Sequence, residues 1–480
     1  MPPRFKELYK QVPAARDERQ RRLLQDAQLR RLHREQAFMG KRVRYRTTPQ
    51  ESETETEYEF THSDTADIVD GLESGDHRER MQALSTLSAK LEQPSEELRR
   101  FIVDGKCIDL LTAVLSEAQD DDATVQALWC ITNVAANEGS SVAQSAVRAV
   151  PYVVPLLASG SVAIRNQAAW ALGNVAAEGP DARSQMHASG AVEALVRLAG
   201  AEPDPEVVQT AWFAVSNLAR TPGTCFDALF ELHVPRLVAQ QALAQSPACV
   251  AELAWVAVYL TAAGSTDRID QIAETGAVDA LLQRSAELDS AQLIPVIRTL
   301  GNIAAGTDAQ THGLVGKAGF LDLLARCIGS SRAVEKEALW VLSNVTATPK
   351  DDVDTVIAHP SLVDSLARIV ETQAFDIKKE AAFSLLNIAI VGGDVRALPN
   401  ARLAPAFVDF VRSHDEQLVR LGVQYIALLF DQLPDRQGPE LLRSVDGAAD
   451  ALETLVAVTD CDETRSVASA LIDDYYGDDS

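Results

Sequence analysis

The sequence predicts an all-α chain, a stacked helical solenoid preceded by a flexible basic arm. Three observations carry this. From about residue 66 onward, apolar residues fall at helical spacing in nearly every window, and almost no strand-type alternation is sustained. A short apolar phrase returns every 41 to 43 residues, the length of a two- or three-helix unit in a stacked array. Aromatic residues are only 5% of the 480, lean for several separate compact cores but adequate for layers that cover one another.

Charge divides the chain before any motif does. Positions 1–50 hold 14 Lys and Arg against 5 Asp and Glu, leaving 30 against 64 for the remainder and a net charge of −25 overall. A small basic arm is attached to a large acidic body. Residues 1–46 form the arm, where Arg19, Arg21, Arg22, Arg30, Arg31 and Arg34 are spaced to line a helix, followed by the cluster KRVR with Lys41, Arg42 and Arg44. Residues 47–65 are acidic and poor in apolar side chains, the composition of a disordered linker. The acidic body argues against direct binding of nucleic acid or of an anionic membrane, since both would be repelled by most of the surface. An acidic partner, or the body itself, suits the arm.

Residues 66–446 carry the repeat. Its copies include ALWCITNVAANEG, AAWALGNVAAEGP, TAWFAVSNLARTP, LAWVAVYLTAAGS, VIRTLGNIAAGTD, ALWVLSNVTATPK and AAFSLLNIAIVGG. An anchor falls at Asn133, Asn174, Asn217, Tyr259, Asn302, Asn344 and Asn387. Four residues before each stand Trp129, Trp170, Phe213, Trp255, Arg298, Trp340 and Phe383. Between these phrases Gly190, Gly276 and Gly319 supply tight turns ahead of an amphipathic helix. The period points to armadillo or HEAT units, about ten of them. From about 395 to 446 the pattern persists without the ring and amide, as structural repeats, and 447–480 forms a C-terminal capping repeat with an acidic tail.

Residues four apart share a helix face, so each layer presents a large ring beside an amide. In one repeat, packing explains the pair: the ring fills the layer and the amide satisfies a backbone group. Copies in register ask for more, because an interior position tolerates leucine or valine. An extended peptide exposes an N–H and a C=O at every residue, and asparagine offers both an acceptor and donors. Helices about 8–10 Å apart would meet a chain advancing about 3.3 Å per residue at every second or third residue. Rings of successive layers form slots whose π faces attract the stems and heads of Lys or Arg, at roughly 0.5–2 kcal/mol each. Acids complete the selection: Glu178 lies four past Asn174, and Glu252, Glu337 and Glu380 each lie three before Trp255, Trp340 and Phe383. The expected ligand is an extended segment rich in lysine and arginine.

The 8 histidines are dispersed with no HExxH, and the 6 cysteines form no CxxC pair. The sequence therefore points to no metal, no disulfide framework, no cofactor and no enzymatic centre. No nucleophile elbow, phosphate loop or paired-carboxylate site stands outside the repeat. Apolar runs stop short of the about 20 residues needed to cross a bilayer, and the polar, basic start is unlike a signal peptide. A soluble protein of a reducing, intracellular compartment is expected.

On these residues the chain resembles the importin-α family, adaptors that carry proteins bearing nuclear localisation signals, over nearly its whole length, which implies a right-handed superhelical solenoid of about ten armadillo repeats. The two exceptions in the ladder are specific: RTLGNIAAGTDAQT, with Arg298 in the ring place, and LAWVAVYL, with Tyr259 in the amide place, are similar to family units at the same positions. The resemblance implies a major cargo site at Trp129, Asn133, Gln167, Trp170, Asn174, Glu178, Phe213, Asn217, Glu252 and Trp255. It implies a minor site at Arg298, Asn302, Asp308, Glu337, Trp340, Asn344, Glu380, Phe383 and Asn387. Arg220 resembles the basic residue between the two. Phe213 and Phe383 stand where the family usually has tryptophan, and Glu178 where it has aspartate, which implies shallower slots and an altered cargo preference.

The arm is similar to the family's importin-β-binding segment, which implies that Arg19, Arg21, Arg22, Arg30, Arg31 and Arg34 meet importin-β. Lys41, Arg42 and Arg44 then compete with cargo at the roughly millimolar effective concentration of a tethered segment, giving autoinhibition until importin-β takes the arm. The C-terminal SALIDDYYGDDS resembles the family's last helix and tail, which implies an export receptor of the exportin type near it. Shuttling between cytoplasm and nucleus follows. A second function fits the same residues: a dedicated armadillo chaperone, or escort, for one basic protein such as a histone or ribosomal protein. A junctional or signalling scaffold is disfavoured by the acidic face.

Overall fold

The computed structural model describes residues 62–91, 95–117, 120–137 and 140–476. The expectations for the arm, from Arg19 to Arg34 and at Lys41, Arg42 and Arg44, lie outside the described residues, as do those for the linker up to 61; its last residues, 62–65, are not disordered but open the helix His62–Glu73. Every regular element that is described is an α-helix or a short 3-10 turn, and the chain is an all-α solenoid. Packing divides it into two units, one ending at Leu288 and one beginning at Asp289.

In the first unit, the helices come in threes that end on a long one. Glu96–Val103 and Lys106–Glu117 lead into Asp121–Ala136; Pro180–Ala188 and Ala191–Ala201 lead into Pro205–Leu218; Thr224–Glu231 and Val234–Ala244 lead into Pro247–Ala263. The second unit repeats the scheme, for example with Asp308–Val315, Phe320–Cys327 and Arg332–Val345. The starts are chemical. Asp120, Asp204 and Ser246 accept backbone N–H groups of the first turn, and Asp289 forms a reciprocal capping box with Gln292, together satisfying donors that a helix cannot pair itself.

Gly190, Gly276 and Gly319 hold the turns ahead of the middle helices, at φ of 73°, 81° and 79°, a left-handed conformation that a Cβ disfavours. In one unit without such a glycine, His233 takes the place at φ 55°. The third helices are buried nearly all round: in Pro205–Leu218 both Trp212 and Phe213 are fully enclosed. Each buried Leu or Val contributes about 1.5–3 kcal/mol, so a layer is stable only where its neighbours cover it. Five of the cysteines are buried in this core, where burial pushes the Cys107 and Cys249 thiols up to about 12.

One sequence expectation is corrected. The window Ser141–Ala158 is long and apolar enough, by composition, to count as a candidate membrane span. It is not one continuous helix: Val150–Val153 and Val154–Ala158 each carry a proline in the first turn, and half of the window is buried within the protein.

Candidate functional site

In the repeats that carry the pair, the long helix holds the ring and its anchor one turn apart on the same face. Trp129, Trp170, Trp255, Trp340 and Phe383 are half-buried, so part of each ring meets solvent. Trp129 and Trp170, from successive layers, meet edge to face with centroids 4.9 Å apart and planes at 62°, an arrangement the ring quadrupoles favour. Trp255 stacks on Tyr259 of its own helix at 5.8 Å, and the Arg220 guanidinium stands 5.8 Å from the Tyr259 ring centroid.

The asparagines lie deeper than a ladder reserved for a ligand requires. Asn133, Asn174, Asn217 and Asn387 are buried, and each donates from Nδ2 to a backbone carbonyl of the preceding layer: Ser88 at 3.4 Å, Thr132 at 3.3 Å, Gly173 at 2.9 Å and Ser343 at 3.2 Å. A carbonyl oxygen can only accept, so the amide nitrogen must be the end facing that layer. One donor of each amide is thereby spent on holding layers together. Asn344 differs, being half-buried and bonded to Trp340 O of its own helix at 3.0 Å. Asn302 is half-buried as well.

Phe213 corrects the reading of the third ring. It is 1% exposed and lies over Gly173, where a Cβ would come within 2.6 Å of its Cε1. Because Gly173 has no side chain, the phenyl ring drops into the layer and walls no open slot. Gly301 admits Trp340 in the same way, with a Cβ falling 1.9 Å from Cζ3, yet that larger ring still reaches solvent.

The acids are not equivalent. Glu252 is buried, Glu178, Glu337 and Glu380 are half-buried, and Asp308 is exposed at the start of Asp308–Val315. Glu337 accepts from both Nε and Nη2 of Arg298, at 2.8 and 2.7 Å, so the charge that replaces a ring in this ladder is matched to an acid one layer on. Gln167 is buried and donates from Nε2 to Thr132 Oγ1 at 2.8 Å. Thr132 was not singled out from the sequence. The signal for it was the small or hydroxyl residue just before five anchors: Thr132, Gly173, Ser216, Gly301 and Ser343.

A HEAT-like repeat profile matches residues 125–175. Importin subunit alpha-9 of Arabidopsis thaliana is 30% identical over 429 residues, covering 83% of this chain and 79% of that protein. Importin subunit alpha-2 of Oryza sativa subsp. japonica is 30% identical over 447 residues, covering 86% and 83%. Among solved structures, an engineered protein superposes with a TM-score of 0.71 at 23% identity, over 86% of this chain and 98% of its own, a likeness of fold.

Proposed function

The chain belongs to the importin-α family of nuclear import adaptors, and we propose that it binds lysine- and arginine-rich nuclear localisation signals in extended form along its ladder face. The N-terminal arm links this cargo to importin-β and, when importin-β is absent, lays Lys41, Arg42 and Arg44 on the same face. The observation that supports this most is the half-buried rings of Trp129, Trp170, Trp255 and Trp340, each one turn from an amide or phenol anchor. Such rings attract cations without needing a fixed ligand geometry, in a body where acids exceed bases by 34 beyond position 50.

The major site on this reading comprises Trp129, Asn133, Gln167, Trp170, Asn174, Glu178, Asn217, Glu252 and Trp255. Phe213 supports it from beneath. The minor site comprises Arg298, Asn302, Asp308, Glu337, Trp340, Asn344, Glu380, Phe383 and Asn387. An exportin-type receptor returns the protein from nucleus to cytoplasm, and no catalysis is involved. The enclosed Phe213 favours a second reading, an escort for one basic protein, because it leaves fewer open slots for varied signals.

The test is binding of a lysine-rich bipartite peptide, at fixed salt, to the full chain and to a chain beginning at residue 61, with importin-β then added to the former. Tight binding only after truncation or importin-β addition supports the autoinhibited adaptor. No binding by the shortened chain removes general signal recognition and promotes the escort.

A further inference from the structure

Thr132 bears no ring, amide or charge, yet two side chains of the next layer converge on it. It is fully buried. Its hydroxyl donates to Leu128 O at 2.8 Å, while Oγ1 lies 2.8 Å from Gln167 Nε2 and its carbonyl accepts from Asn174 Nδ2 at 3.3 Å. A hydroxyl has one proton. With that proton given to Leu128, Oγ1 can only accept from Gln167, so the glutamine must turn its nitrogen toward Thr132 and its carbonyl oxygen away from it.

Gln167, Trp170 and Asn174 stand at i, i+3 and i+7 on Val162–Ala177 and share a face. Gln167 is seven residues before its anchor, the register that Glu252, Glu337 and Glu380 occupy before Tyr259, Asn344 and Asn387. An amide whose oxygen is turned away from Thr132 can serve as a neutral counterpart of those carboxylates. The hydroxyls in the same place two other layers along, Ser216 and Ser343, likewise donate within their own helices, to Phe213 O and Trp340 O.

Resting on the peptide-binding reading above, we propose that Thr132 is a positioning residue that locks Gln167 with its carbonyl oxygen toward the bound peptide. The Trp129 and Trp170 layers thereby select an N–H donor, the head of a Lys or Arg or a peptide N–H, without a formal charge. An unlocked glutamine would present either end of its amide and lose this preference.

The experiment is a double-mutant cycle on the full chain with importin-β at saturation, so that the arm is engaged, read by fluorescence anisotropy of a fluorescein-labelled peptide containing five consecutive lysines, at fixed salt. Thr132→Val is expected to weaken binding about fivefold, the equivalent of one ordinary hydrogen bond, and Thr132→Ser to restore it to within about twofold. In a Gln167→Ala background, Thr132→Val should change affinity by less than about 1.5-fold, since a residue acting through another has no effect once that other is gone. Equal weakening in both backgrounds, or none in either, overturns the proposal. Should Thr132→Val fail to fold, Thr132→Ala runs the same cycle. Failure of the unmutated chain to bind the peptide at all, with or without importin-β, retires the adaptor reading itself, and this inference with it.

Discussion

Arg298 donates from Nε and Nη2 to a single carboxylate oxygen of Glu337, at 2.8 and 2.7 Å, both side chains being less than a third exposed. In this layer of the ladder the acid is already matched by a cation of the chain itself, which on the peptide-binding reading competes with a ligand's lysine. Arg298→Ala removes that competitor and releases Glu337. On the peptide-binding reading, affinity for a lysine-rich peptide confined to the minor site should rise several-fold, read by calorimetry at fixed salt. Unchanged or weaker binding would mean that Arg298 is itself a contact of the peptide.

The amide struts should appear as stability. Asn217 is fully buried and its bond to Gly173 O is 2.9 Å. Asn217→Ala leaves that carbonyl without its partner and should cost about 1–3 kcal/mol in urea unfolding. Asn344→Ala, at a half-buried site bonded within its own helix, should cost less than about 1 kcal/mol. Equal losses at the two sites would show that inter-layer bonding is not what distinguishes them.

Close approach of layers depends on Gly301. A methyl group there would collide with the six-membered ring of Trp340, which would have to shift to admit it. Gly301→Ala should destabilise by about 1–3 kcal/mol through overpacking and displace the indole, seen as a shift in tryptophan emission at native conditions. Gly313→Ala, inside Asp308–Val315 where a Cβ would meet nothing within 4 Å, is the control expected to leave the emission unchanged and stability equal or higher by up to about 1 kcal/mol.

Acid should weaken the 165–202 contact in a defined direction. Arg165 donates from Nε and Nη2 to the two oxygens of Glu202, each at 2.8 Å. The hydrogen bonds from Arg165 hold the Glu202 carboxyl below its ordinary 4.5, against an opposing contribution from burial. A depressed folded value means that the stabilisation is complete above the ordinary value and is lost as pH falls through the depressed one. Glu202→Gln should cost about 1.5–3 kcal/mol near neutrality, with the gap to the unmutated chain closing below pH of about 4. A gap that stays constant down to pH of about 3 would refute the ion pair as its source.

The repeating phrase made much of this architecture legible. Spacing of 41 to 43 residues between anchors reports how much chain one layer consumes, and Gly190, Gly276 and Gly319 report turns that need a left-handed residue. The face shared by Trp170 and Asn174 is likewise a property of the helix alone. Ser141–Ala158 was less legible, because hydropathy does not register that Pro151 and Pro155 divide the segment into short turns.

By itself the sequence determined the all-α class, the repeat length, the ring and anchor register and the polarity between basic arm and acidic body. All of these follow from local spacing and composition. Only the tertiary structure decided that Asn217 reaches Gly173, that Phe213 sinks where Trp340 does not, that Arg298 holds Glu337 and that Thr132 orients Gln167. Each of those relations joins residues from different layers, roughly one repeat apart in sequence. Their outcome depends on how closely two helices stack and on which donors and acceptors then face each other, and no periodicity within either helix encodes that distance.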